Sequence, residues 1–241
     1  MSQPHEIALG VNLVPFREGT NHAENQRAAF EVLERIVAEN SSKVYLMTFC
    51  FDHEFEEIKR RFHTTPMVLV RDAKREIGGP RSLPFIPEIM AQLAHRCSED
   101  GTRWIGFVNS DIIITQRMID RLLAAPKEIK AILCHRTDVE KPGGELLDEN
   151  SLRNGIDGMF LEWQTWDRLK HTYPDWVLGE PGWGQGTQEW VTFHQVPHEY
   201  MGDHELLHVK HKAFWKYHRT APLAHNRRLY QQVKTLNQTK R

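Results

Sequence analysis

The segment Ile105-Gly-Phe-Val-Asn-Ser-Asp-Ile-Ile-Ile sets one carboxylate, Asp111, between two apolar runs. A carboxylate among apolar neighbours is costly to bury unless a cation or hydrogen bonds compensate it. A divalent ion bridging two phosphates is one such compensation, because hard cations prefer carboxylate and phosphate oxygens. A turn, or the cap of a helix starting near Thr115, is the plainer role for the same residue, and spacing alone does not choose between them.

A second constellation is His204-Glu-Leu-Leu-His208, which matches the H-E-x-x-H pattern of zinc hydrolases. On a helix the two imidazoles would share a face, with Glu205 as general base. That chemistry needs a third ligand. No Asp or Glu follows Glu205, and His211 stands only three residues after His208 without a turn-forming glycine. The hydrolase is therefore kept as the alternative, and it requires an upstream ligand.

Other pieces follow in a recognisable order: Arg71-Asp72-Ala73, Arg81-Ser-Leu-Pro-Phe-Ile, Gly106-Phe-Val-Asn-Ser-Asp-Ile, Gly155-Ile-Asp-Gly-Met-Phe-Leu, His194-Gln195 and His198-Glu199-Tyr200. Together, over roughly residues 65–200, they resemble small glycosyltransferases of the GT-A fold. Asn109-Ser110-Asp111 stands where those proteins carry a DxD motif, with Asn109 in place of the first Asp.

The resemblance implies that Asp111 holds Mn²⁺ or Mg²⁺ against the diphosphate of a nucleotide sugar. Asn109 would contact the ribose or a nearby water, and Ser110 belongs to the same donor-binding turn. The metal would neutralise charge on the departing nucleoside diphosphate. A late histidine would be the second protein ligand, His194 first, with His198 and His208 in reserve. Arg71 and Arg81 are candidates for base or phosphate contacts, since guanidinium suits bidentate phosphate binding; surface ion pairs are the plainer reading. Asp157 would bind a sugar hydroxyl and Trp183 would stack on a sugar face, against turn-stabilising and core-packing alternatives.

An inverting transferase also needs a carboxylate to deprotonate the acceptor hydroxyl. Related proteins tend to place Asp just after a Trp here, but Gly184 follows Trp183. Glu180 and Glu189 are the substitutes, unless the mechanism is a retaining one without such a base. These departures also keep open a non-catalytic nucleotide- or carbohydrate-binding protein on the same fold.

The elements that must position these residues begin with a strand at 7–14 ended by Pro15. A helix over 22–39, with Asn21 as its cap, has Phe30, Leu33, Ile36 and Val37 on one face. Strands follow at 43–51 and 66–70, a helix at 86–97, a strand at 104–108, a helix at 116–125 and a strand at 129–134. This alternation means βαβ units and a central, mostly parallel sheet flanked by helices, an α/β domain of Rossmann-like GT-A type. Val191-Thr-Phe reads as a further strand leading to His194. The loops at 76–82 and 141–151 are short enough to lie inside one domain.

Residues 152–200 hold five of the seven tryptophans, and seven of the fourteen histidines fall between His194 and His225. The regular first part (about 1–125) therefore reads as a nucleotide-binding half and about 126–220 as an acceptor-binding half of a single domain. After Glu205 the charges are all basic, and 221–241 reads as a basic C-terminal tail able to touch an anionic membrane surface, or as a solvated helix. The 241 residues carry a net charge of −1, which gives no global pull toward nucleic acid. Three scattered cysteines make neither a disulfide framework nor a zinc site, and with no apolar leader or membrane-length run the expectation is a cytoplasmic protein. The expected partners are a nucleotide-sugar donor and a carbohydrate or glycoconjugate acceptor, as in surface-polysaccharide synthesis.

Overall fold

All six residues of β1 (Ile7–Asn12) are buried, the mark of a central strand covered on both faces. The computed structural model of the chain describes residues 5–97, 101–140, 152–202, 204–210 and 220–239. After β1 come α1 (Asn21–Glu39), β2 (Val44–Phe51), α2 (Phe55–Phe62), β3 (Met67–Leu69), the single turn α3 (Ala73–Glu76) and α4 (Ile86–Cys97). Then follow β4 (Trp104–Val108), β5 (Ile112–Ile114), α5 (Gln116–Ala124), β6 (Ala131–Val139) and β7 (Leu152–Glu162). The remainder holds α6 (Trp163–Leu169), α7 (Trp183–Phe193), β8 (His198–Met201), β9 (Leu206–Val209) and α8 (Ala221–Thr239).

The nine strands make one sheet in the order β3-β2-β1-β4-β7-β6-β9-β5, with β8 pairing β6. Five of the eight pairings are parallel, and the antiparallel ones are β4–β7, β6–β7 and β5–β9. The first four strands in this order are the parallel βαβ array expected from the alternating pattern. β7 enters antiparallel beside β4, so the expected nucleotide-binding and acceptor-binding halves share one sheet.

Close approach at the β4–β7 seam depends on Gly106. A Cβ there would lie 2.2 Å from the Met159 carbonyl and 2.4 Å from the Phe160 ring, so only glycine lets the strands meet. One large cluster on the α4, α6 and α7 side includes Phe107, Leu133, Trp176 and Trp190; a second, with α1 and α5, includes Phe30, Ile114, Leu122 and Phe160.

Several expectations need correction. The cap of α1 is Thr20, whose hydroxyl accepts from the Ala23 amide, so Asn21 is the first helical residue. The strand expected at 129–134 runs to Val139. Val191-Thr-Phe is the last turn of α7, not a strand. Residues 221–239 of the expected tail form a helix packed on α7, with Leu223 and Val233 buried. The loop at 141–151 and His211 lie outside the described residues. Among the described residues, no helix is long and apolar enough to cross a membrane, and Cys50, Cys97 and Cys134 are buried.

Candidate functional site

β4 ends at Val108, and the chain turns through Asn109, Ser110 and Asp111 before re-entering the sheet as β5. The Ile112 amide donates to the Asn109 carbonyl, and the Asn109 amide donates to the Asp157 carbonyl on β7. The turn is thereby fixed to the sheet edge beyond the carboxyl end of a parallel strand, the region where open α/β sheets bind ligands.

β9 lies antiparallel to β5 and parallel to β6, which puts His208 level with Asp138 and opposite Ile112. His208 Nδ1 is 3.0 Å from Asp138 Oδ1, and His208 Nε2 is 3.5 Å from Asp111 Oδ2. Arg136 Nε donates to the same Asp138 oxygen at 3.2 Å, and its Nη1 donates to Asp157 Oδ2 at 3.0 Å. Asn109 Nδ2 closes the array by donating to Asp157 Oδ1 at 2.6 Å.

Asp157 owes its position to an irregularity: Cys134 pairs with Gly158 but His135 pairs with Ile156, so Asp157 is the extra residue of a bulge. Bulges re-aim side chains, and here the bulged carboxylate meets Arg136 and Asn109.

The electrostatics follow from burial. Asp157 is buried, which pushes its carboxyl above the usual range, while Arg136 pulls the other way. Burial would lower the His208 imidazole, but hydrogen bonds to Asp111 and Asp138 outweigh it and lift the pKa to about 9. Three carboxylates converge on one arginine and one histidine, and Asp111, at 27% side-chain exposure, is the carboxylate open to solvent, beside Arg136 at 28%.

The other sequence candidates lie in different surroundings. His194 follows α7 and its Nε2 is 3.0 Å from the Thr172 hydroxyl. His198, at the start of β8, directs Nδ1 to the Val196 carbonyl at 2.9 Å. Neither joins Asp111; of the three histidines, His208 does. Arg71 is engaged by Glu76 and Asp175 and lies 4.2 Å from the Phe85 ring centroid, the ion-pair arrangement weighed above.

Arg81 donates to the Gly179 carbonyl at 2.9 Å and sits 3.8 Å from Glu180. Glu180 is itself buried, and burial raises its carboxyl despite Arg81. Glu189, half-buried on α7, accepts from Asn237 at 2.6 Å. Trp183 is 4% exposed and tilts against Phe107, its ring centroid 5.4 Å away. It is a core residue, because the helix it opens turns the indole inward, and it offers no open face to a sugar.

The H-E-x-x-H pattern has no helix. His204 takes a left-handed backbone conformation with φ of 67° outside β9, and Glu205 is buried against Arg121 at 3.0 Å. With no helix between them, His204 and His208 lack the shared face on which the motif holds its ion.

Arg136 and Asp138 were missed by sequence reasoning. Their only signal is an opposite-charge pair two residues apart at the end of an apolar strand. Among the described residues no group of three or more His, Cys, Asp or Glu side chains is arranged to hold a metal ion. What exists is a pair, Asp111 and His208, with a carboxylate behind the imidazole. Mg²⁺ is typically held by one or two carboxylates and completes its shell with substrate phosphates and water. A carboxylate behind the imidazole is the usual support for a metal-binding histidine, because it orients the ring and raises its basicity.

No protein-family model matches the chain, and no curated protein matches its sequence. Solved structures do match. A mannosyltransferase from Pyrobaculum calidifontis, determined with GDP-Man and Mn²⁺, gives a TM-score of 0.51 at 8% identity, covering 89% of this chain and 59% of that one. The 4-diphosphocytidyl-2C-methyl-D-erythritol synthase of Anaerococcus prevotii gives 0.49 at 5% identity, covering 93% and 98%. A glycosyltransferase involved in glycosylation of the major capsid of PBCV-1 gives 0.42 at 10% identity, covering 95% and 98%. At such identities the likeness is one of fold, carried by the first of the three: the chain has a GT-A-like α/β fold.

Proposed function

We propose that this chain is a metal-dependent glycosyltransferase that moves a sugar from a nucleotide-diphosphate donor to a carbohydrate or glycoconjugate acceptor. The observation that carries the reading is the Asp111–His208 pair, backed by Asp138, at the carboxyl end of β4. The GT-A-like fold supports it, and so does the mannosyltransferase neighbour, whose structure contains GDP-Man and Mn²⁺. Asn109-Ser110-Asp111 is then the variant DxD motif.

Asp111 and His208 would hold Mn²⁺ or Mg²⁺, which supplies Lewis-acid neutralisation of the departing nucleoside diphosphate. Asp138 orients the His208 ring, and Arg136 ties Asp138 to Asp157 so that the two buried carboxylates keep their places. Asn109 holds the turn to β7. In the reaction an acceptor hydroxyl oxygen bonds to the anomeric carbon as the bond from that carbon to the diphosphate oxygen breaks. The hydroxyl proton passes to a carboxylate, for which Glu189 and Glu180 are the candidates in an inverting transfer. Glu189 is the more accessible, whereas Glu180 is 3% exposed. A cytoplasmic setting belongs to the same reading.

The test is thermal stabilisation by a panel of nucleoside diphosphates with and without Mn²⁺. A ligand at about 100 times its Kd adds about 2.7 kcal/mol, which for a chain of this size raises Tm by about 5–10 °C. The expected result is a metal-dependent shift for one base, abolished in Asp111→Ala with the unliganded Tm retained. A shift that survives Asp111→Ala would remove the proposal.

A further inference from the structure

Tyr200 on β8 is 38% exposed, one of the few large side chains with apolar surface open to solvent among the described residues. Two imidazoles flank its ring. His135 lies tilted at 31° with centroids 5.3 Å apart, and His198 stands edge-on at 83° and 5.5 Å.

His135 Nδ1 is buried and has no hydrogen-bond partner. His198 spends Nδ1 on the Val196 carbonyl at 2.9 Å, which makes its Nε2 the acceptor nitrogen of the ring. The cluster adjoins the proposed catalytic bay. His135 directly precedes Arg136, and its cross-strand partner Ile156 directly precedes the bulged Asp157. Glu189 on α7 is close enough to Tyr200 to raise the phenol pKa.

We propose that Tyr200, His135 and His198 form the acceptor-sugar platform, which rests on the reading of the chain as a glycosyltransferase. A pyranose presents an apolar C–H face and a rim of hydroxyls. A half-open aromatic ring packed against two imidazoles matches both parts, the ring supplying contact area and the imidazoles polar partners. Trp183, buried against Phe107, supplies no such face. Tyr200 is ready for this role without rearrangement, because the flanking imidazoles already pack against the ring.

The experiment is saturation-transfer NMR with a panel of free disaccharides (xylobiose, cellobiose, lactose, maltose and chitobiose), using wild type, Tyr200→Ala, Tyr200→Phe and His198→Ala. Circular dichroism melting serves as the fold control. The expected result is saturation of the C–H protons of one pyranose face by wild type and Tyr200→Phe, an apparent affinity about tenfold lower in His198→Ala, and loss of the signal in Tyr200→Ala. Retained binding in a folded Tyr200→Ala variant, or no disaccharide bound by wild type, overturns the platform. Saccharide binding that depends on Tyr200 in a protein that ignores every nucleoside diphosphate would keep the platform and sink the transferase.

Discussion

The imidazole of His208 has a carboxylate on each side, Asp138 at 3.0 Å from Nδ1 and Asp111 at 3.5 Å from Nε2. The two contacts do different work. Asp111 faces solvent and would share an ion with Nε2, whereas Asp138 is buried and sets the ring's orientation. Asp138→Asn keeps the side-chain shape but weakens that orientation. In proteins of this design such a change costs about 10–100-fold in metal affinity, so Mn²⁺ titration with the nucleoside diphosphate present should show that loss while the fold persists. An unchanged Mn²⁺ affinity would assign Asp138 to packing alone.

At this scale Asp111 stood out as a carboxylate between two apolar runs, while spacing alone left a turn or helix cap open beside an ion-binding role. His208 was ranked behind His194 because Val191-Thr-Phe passes equally for a strand end or a helix end. Period and length cannot separate the two in three residues. Arg136 and Asp138 read as an exposed strand end, and only the tertiary partners His208 and Asp157 reveal them as a buried charge array.

Among the elements, β1 to β4 with α1, α4 and α5 were legible within a few residues, since each has local periodicity and punctuation. The strands that complete the site were not. β9 consists of four residues, Leu206–Val209, whose strand character comes from pairing with β5 and β6; by pattern alone it suggested a zinc-hydrolase helix. α8 was read as a basic tail or a solvated helix because its polar residues outnumber its apolar ones, yet Asn226 anchors it.

The Asn226 side chain is fully buried, accepts from the Val177 amide at 2.9 Å and donates to the Val177 and Glu180 carbonyls at 2.9 and 3.1 Å. Asn226→Ala would orphan all three groups, so urea unfolding should show a loss of about 3 kcal/mol. A loss below about 0.5 kcal/mol would make α8 an accessory to the fold rather than part of it.

For the molecule as a whole, pH dependence has a legible structural source at Glu54. This residue is 9% exposed and accepts from the Phe51 amide at 3.1 Å, and burial holds its carboxyl above the usual range. A raised carboxyl pKa means that the folded state binds more protons than the unfolded state between the two pKa values. Stability from this group is therefore full below the ordinary glutamate pKa of about 4.3 and falls as pH rises through the folded value. Glu54→Gln keeps an acceptor for Phe51 and removes the ionisation. Its Tm should exceed that of wild type at pH 7, with the difference vanishing by about pH 4. Equal Tm values across that range would show that Glu54 ionises freely in the fold.

The Asp111–His208 pair also has a temporal side. Asp111 leaves the ribosome with the parallel strands, but its partner arrives on β9, after β7 and β8 have been made. A nascent chain that has built β1 to β4 therefore carries half of the proposed ion-binding pair and lacks the strand that delivers the other half. Domains gain structure as they are synthesised, so on the proposed reading ion capture comes near the end of that sequence. On that reading an interrupted translation product would retain much of its βαβ frame yet sequester neither cation nor nucleotide.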